Sequence, residues 1–197
     1  MNAPLRSVSA TAAPLRRSDI DTDQIVPAEF CKRLSRTGYE DALFYRWRSQ
    51  AWYPLGKPPY ADARVLIAGP RFGVGSSREH AVWALRDFGF QAIIAPSFGD
   101  IFRSNATKNG MLTARASAEF VSELQDMIEQ RPETVVTVDL EATGIDAGPL
   151  HGSFEIGSYS RWQLLNGFDD IDLVLMRESE IDSYEIRRSR LLPSIHD

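Results

Sequence analysis

The stretch from Arg64 to Pro96 most restricts what this chain can fold into. Val65-Leu66-Ile67-Ala68 is a short apolar run with β-branched members, closed by Gly69, and it suits a strand buried on both faces. A glycine-bearing loop, Pro70 to Gly75, comes next. Ser76-Ser77-Arg78-Glu79 then has the spacing of a capping box. Ala81, Ala84, Leu85 and Phe88 continue at helical spacing until Gly89, a residue suited to a helix C-terminus. Gln91 to Ala95 reads as a second buried strand stopped by Pro96. Strand, loop, helix and strand make a β-α-β unit with a right-handed crossover, so the fold class is α/β and the loop sits at a strand's carboxyl end.

Around this unit, Asp100 to Asn109 predicts a helix ending at Gly110. Ser117 to Gln130 predicts an amphipathic one with Phe120, Val121, Leu124 and Ile128 on one side. Thr134 to Leu140 alternates as a half-buried strand, Gly144 to Gly148 turns, and Ser153 to Ile156 pairs back as a hairpin. Ser160 to Asn166 and Ile171 to Ile186 read as helices around Gly167. Ser18 to Pro27 mixes acids with apolar residues, as a turn leading into a short strand does. Ala51 to Ala61, crowded with proline and aromatics, reads as a packed loop. The whole of 1–197 is expected to be one domain, with a mobile arm over about 1–14 and a loose tail over about 187–197.

Several functions are disfavoured by what the chain lacks. No apolar run is long enough for a membrane span, and the arginine-bearing first seventeen residues have no signal-peptide core, so a cytoplasmic protein is expected. A net charge of -5 with interspersed signs gives no footprint for nucleic acid. Cys31 is the only cysteine and His80, His151 and His196 the only histidines, which supplies neither the thiolates of an iron-sulfur cluster nor a zinc site. No metal is expected on this chain. Asp19, Asp21 and Asp23 begin like a calcium loop, but Gln24 stands where its glycine belongs and Phe30 where its final acid belongs. The glycine loop has no Gly-Lys-Ser or Gly-Lys-Thr, no third glycine and no acid after the second strand, so it fits neither nucleotide pattern.

What the loop offers is two hydroxyls, Ser76 and Ser77, and the Arg78 guanidinium at a helix start where amides and the dipole favour an anion. A carboxylate fits there. A serine alkoxide held by such groups can remove a proton next to a bound carboxylate. On local pattern alone, Ser76 serving only as a helix cap explains the same residues. His80 beside the serines also raises a stand-alone serine hydrolase, which the absence of a Gly-x-Ser-x-Gly elbow disfavours. A non-enzymatic anion-binding module needs only the loop and the cap.

Beyond local pattern, Gly75-Ser76-Ser77-Arg78-Glu79-His80 resembles the Gly-Ser-Ser-Arg-Glu-His motif of the aconitase superfamily. Asp19 to Pro27, Arg36-Thr37-Gly38, Ala95 to Phe102, Lys108-Asn109-Gly110 and Leu164 to Ile171 are similar, in order, to isopropylmalate isomerase small subunits, so the likeness runs along nearly the whole chain. The resemblance implies a swivelling β/β/α domain, and a separate large subunit whose [4Fe-4S] cluster acts as Lewis acid on the substrate hydroxyl. It implies a dicarboxylate substrate, Ser76 as the base, Arg78 as the carboxylate holder, and Gly75 and Ser77 shaping the site. The stretch Phe30 to Thr37 matches the substrate-choosing loop and makes Lys32, Arg33, Arg36 and Thr37 binding candidates. The implied reaction interconverts 2- and 3-isopropylmalate in leucine biosynthesis. Related dehydratases act on citraconate, dimethylmalate or homoaconitate. Many members carry cysteine at Val74 and a small polar residue or acid at Arg71, neither being a catalytic position.

Overall fold

The computed structural model describes residues 2–188. Along them run β1 (Ser7–Leu15), α1 (Thr22–Ile25), β2 (Val65–Ala68), α2 (Glu79–Phe88), β3 (Ala92–Ala95), α3 (Asp100–Lys108), β4 (Leu112–Arg115), α4 (Ala118–Gln130), β5 (Val135–Asp139), β6 (Gly144–Ala147), β7 (Leu150–Ser153), α5 (Ser158–Asn166), α6 (Asp170–Leu175) and α7 (Glu178–Arg187), with 3-10 turns at Ala28–Lys32 and Tyr45–Trp47. The strands form a seven-stranded sheet in the order β4-β3-β2-β1-β5-β6-β7. β1 to β4 pair in parallel, as an α/β chain with helical crossovers must, and β5 to β7 are antiparallel.

β1 joins the two halves by dividing its own length. Ala12 to Leu15 pair in parallel with Val65 to Ala68, whereas Ser7 to Thr11 pair antiparallel with Asp139 to Val135. The expected mobile arm over 1–14 is therefore corrected: from Ser7 onward those residues lie mid-sheet. Ser7-Val8-Ser9-Ala10-Thr11 has too little apolar bulk to announce a strand, but small side chains suit a position where helices and strands close in, and Ser9 Oγ meets Thr137 Oγ1 at 2.9 Å across the pair.

Apolar side chains alternate between two cores. Leu66, Ala68, Ile93 and Ala95 face the side covered by α2, α3 and the aromatic loop that includes Tyr39, Phe44 and Tyr53. Val65, Ile67, Ala92 and Ile94 face α4 and the antiparallel strands. Burial on both faces explains the unbroken apolar runs of β2 and β3. On α4 the residues Val121, Leu124 and Ile128 are buried, each contributing about 1.5–3 kcal/mol. Gln125 on the same face bonds to the Ile67 carbonyl of β2 at 3.0 Å.

Further differences from the sequence expectations have local causes. The segment after Asp21 is the short helix α1 and not a strand, because Asp21 accepts from the Gln24 N–H at 2.7 Å while the Gln24 side chain accepts from the Asp21 N–H at 2.9 Å. The C-terminal hairpin lies one strand earlier than expected: Gly144–Ala147 is itself β6, and the turn is Gly148-Pro149, with Gly148 at φ +56. Beyond β7, Glu155 bridges to Arg115 of β4, a strand the sequence did not suggest. The expected helix from Ile171 to Ile186 divides near Met176 into α6 and α7. Of the expected tail, Arg187 closes α7 and residues 189–197 lie outside the described residues. Among the described residues no helix is long and apolar enough to cross a membrane.

Candidate active site

The loop after β2 is threaded between the segments that follow β1 and β3. The Phe72 N–H donates to the Ser97 carbonyl at 3.0 Å and the Gly99 N–H to the Phe72 carbonyl at 2.9 Å. On the other side Gly73 donates to the Ile20 carbonyl at 2.7 Å, and Thr22 donates to the Val74 carbonyl at 2.9 Å. Main-chain bonds on both flanks fix the loop's course almost independently of its side chains. Gly73 is indispensable to that course: it sits at φ +72, and a Cβ there would lie 2.3 Å from the Phe102 ring. Gly75 follows at φ +95, packed close to Asp21 and Thr22.

This path delivers Ser76 and Ser77 to the surface, both exposed. The capping box expected at Ser76 is absent. α2 begins three residues later with Arg78 in the cap position, and no side chain bonds to its first amides. Ser76 is instead held through its main chain, its carbonyl accepting from Thr22 Oγ1 at 2.9 Å, and its own hydroxyl lies 3.4 Å from the same Thr22 oxygen. A cap has therefore no part in explaining Ser76. Glu79, the other half of the expected box, accepts from Asn109 Nδ2 at 2.9 Å, and Asn109 also receives the Trp83 indole N–H at 3.1 Å. That network ties α2 to the end of α3.

Arg78 turns back toward α1. Its Nη1 donates to the Val26 carbonyl at 3.1 Å and pairs with Asp23 at 2.5 Å, and the side chain is only 17% exposed. No other atom of the fork is bonded among the described residues, so part of this planar five-donor group is unspent. Gly75, Ser76, Ser77 and Arg78 thus follow one another into α2, with the buried Thr22 against Ser76 and the exposed Asp23 against Arg78. Sequence reasoning overlooked both α1 residues by assigning their segment to a strand. The signal that would have revealed them is the Asp-x-x-Gln box at Asp21.

The stretch Phe30 to Thr37 is held differently. Arg33 spans both oxygens of Asp41 at 2.7 Å and the Gly38 carbonyl at 2.7 Å, while its guanidinium lies over the Phe30 and Tyr39 rings. That bond to Arg33 lowers the Asp41 carboxyl below its ordinary range. Lys32, Ser35, Arg36 and Thr37 are exposed, Leu34 wholly so, and Lys32 and Arg36 make no ion pair among the described residues. Among the described residues Thr37 hydrogen-bonds only to its loop neighbour Ser35. Arg36 stands 6.0 Å over the Trp83 ring, and Tyr39 packs on His80 at 5.5 Å, so this loop leans on the face of α2. Burial pushes the His80 imidazole below its ordinary value, with Glu79 opposing and Arg78 reinforcing the shift. Burial raises the Cys31 thiol, against the nearby charge of Arg78. The Cys31 shift keeps that thiol in its protonated, less nucleophilic form.

An iron-sulfur cluster does not fit these residues. Cys31 is the chain's only thiol, and among the described residues no group of three or more His, Cys, Asp or Glu side chains could hold a metal ion.

Residues 2–119 match the Aconitase C-terminal domain family. The chain is 50% identical over 189 residues to a 3-isopropylmalate dehydratase small subunit of Bifidobacterium animalis subsp. lactis, covering 96% of this chain and 84% of that one. It is 50% identical over 187 residues to the protein of that description from Salinispora arenicola, covering 95% and 96%. A relative from Frankia alni with the same description is 51% identical over 183 residues. Among solved structures, a 3-isopropylmalate dehydratase from Methanocaldococcus jannaschii superposes with a TM-score of 0.65 over 91% of this chain and 99% of its own, at 23% identity, and so speaks to the fold alone.

Proposed function

Because the chain belongs to the family of 3-isopropylmalate dehydratase small subunits, a hydro-lyase family, we propose that Ser76 is the base and Arg78 the carboxylate holder of a site completed by a large subunit. The reaction is the reversible dehydration and rehydration that interconverts 2- and 3-isopropylmalate. One observation carries this reading: an exposed serine with no capping duty, fixed by its main chain next to an arginine whose donors are partly unspent.

The chemistry follows from that pair. A proton on the carbon beside a carboxylate is weakly acidic, and its removal spreads negative charge onto the carboxylate oxygens. A guanidinium edge placed on those oxygens stabilises that charge more than it stabilises the resting substrate, which lowers the barrier. Ser76 Oγ takes the proton and returns it on the carbon that is protonated when water adds back. Ser77 and the Gly75 amide close the floor of the site. Departure of the hydroxyl requires an acid, and we assign that part to the large subunit, whose [4Fe-4S] cluster the family resemblance predicts. Lys32, Arg36 and Thr37, with Arg33 bracing their loop, would meet the substituent and the second carboxylate. We expect the pair to work in the cytoplasm, without membrane or nucleic acid.

The deciding experiment reconstitutes the chain with its large subunit under anaerobic conditions and compares isopropylmalate with citraconate as substrates. Turnover of isopropylmalate that vanishes in Ser76→Ala supports the assignment. Full activity in that variant removes Ser76 from the chemistry, and a preference for citraconate moves the chain to a related dehydratase.

A further inference from the structure

Thr22 is one of few polar side chains the fold buries, at 2% exposure. Three others serve the scaffold: Thr107 donates to Arg103 in its own helix, Gln125 to Ile67 of β2, and Gln163 to Phe168 beyond α5. Thr22 alone spends its hydroxyl on the serine loop. Its Oγ1 donates to the Ser76 carbonyl at 2.9 Å and stands 3.4 Å from Ser76 Oγ. A hydroxyl has one proton and two lone pairs, and these two acceptors share that proton's reach.

While Ser76 is neutral, the carbonyl takes the Thr22 proton, and the 3.4 Å separation between the hydroxyls lies beyond the usual range for an O–H···O bond. Once Ser76 has given its own proton to solvent water and carries the alkoxide that takes the substrate proton, the balance reverses, because a charged oxygen accepts a shorter bond about twice as strong. Rotation about the Thr22 Cβ–Oγ1 bond then aims the same proton at Ser76 Oγ without moving any main-chain atom. The loop does not depend on that hydroxyl for its course, since the Thr22 N–H to Val74 bond and the Asp21–Val74 bridge are main-chain contacts.

We propose that Thr22 is the positioning residue for Ser76, anchoring its carbonyl at rest and donating to its oxygen when that oxygen is charged. The proposal rests on Ser76 being the base. Thr22 exchanges no proton: the one leaving the substrate carbon ends on Ser76 Oγ, and Thr22 keeps its own.

The test reconstitutes Thr22→Val, Thr22→Ser and Ser76→Ala chains with the large subunit. It measures kcat, KM and the isotope effect for substrate deuterated at the carbon that loses its proton. Thr22→Val should lower kcat about 10- to 100-fold with KM changed less than about three-fold, and raise the isotope effect because proton transfer has become slower. Thr22→Ser should restore kcat to within about five-fold. A purely structural role would not move the isotope effect. If Thr22→Val matches the unmodified pair in rate and isotope effect while Ser76→Ala is inactive, the Thr22 proposal is overturned and the base assignment stands. If Ser76→Ala retains activity, both fall. Should Thr22→Val not fold, Thr22→Ala against Thr22→Ser decides: a faster serine variant supports the proposal, and equal rates overturn it.

Discussion

Two loops meet on α2, and they are held by different kinds of bond. The loop from Pro70 to Arg78 is tied by main-chain hydrogen bonds to the segments after β1 and β3. The loop from Phe30 to Gly38 is braced by a side chain, Arg33, reaching Asp41 and the Gly38 carbonyl. Main-chain bonds survive most substitutions, so the first loop should keep its shape when Arg71 or Val74 is replaced. A side-chain brace changes shape whenever its residues change. On the proposed reading, the chemistry rests on the first kind of support and the choice among substrates on the second.

The contrast can be broken at its strongest point by Ser76→Ala. Activity of the reconstituted pair should fall by about three orders of magnitude or more, since the variant removes the group proposed to take the proton. Stability should change by less than about 0.5 kcal/mol, because no cap is lost. Thermal unfolding beside steady-state kinetics checks both halves, and a clear loss of stability would restore a structural role to the serine.

Next in size, Gly73→Ala attacks the main-chain lock. The strained φ and the collision with Phe102 should together cost about 2–4 kcal/mol, lowering Tm by roughly 5–15 °C. An unchanged Tm would mean that the loop yields easily. Arg33→Ala should leave Tm almost unmoved but lower kcat/KM for isopropylmalate about ten-fold and narrow its lead over citraconate. Equal losses with both substrates would place Arg33 outside substrate choice.

The smallest effect concerns the joint between the loops, where His80 packs edge-on to Tyr39 and tilted against Trp83. Burial keeps its folded pKa below the ordinary 6.5, so as pH falls the unfolded chain takes up that proton first. The stability from neutral His80 is complete above about 6.5 and is lost as pH falls toward the lower folded value. Comparing Tm at pH 8 and pH 5.5 in the unmodified chain and in His80→Phe should show a smaller drop in the variant. Parallel drops would exclude His80 as the cause.

Much of this arrangement is legible in the residues because burial writes itself plainly where both faces of a strand are covered. β2, α2 and β3 lie where apolar runs, helical spacing and glycines put them. β1 is hidden because Ser, Ala and Thr can enter a sheet wherever neighbours supply the burial, and its antiparallel neighbour β5 is distant in sequence. The serine motif was found, but its support was misjudged: a capping-box spacing and a turn leading into a helix share the same residue types. Only the placement of α1 shows Thr22 beneath Ser76 and Asp23 against Arg78.

The division of β1 has a consequence for biosynthesis. Val8 sits opposite Val138 and Ala12 opposite Val65, so β1 acquires its second neighbour only after about 120 further residues have been made. Contacts so far apart in the chain are slow to close. Until then its unpaired edge stands open in the nascent protein, which makes the arrival of β5, and not the making of β4, the moment at which β1 gains both neighbours.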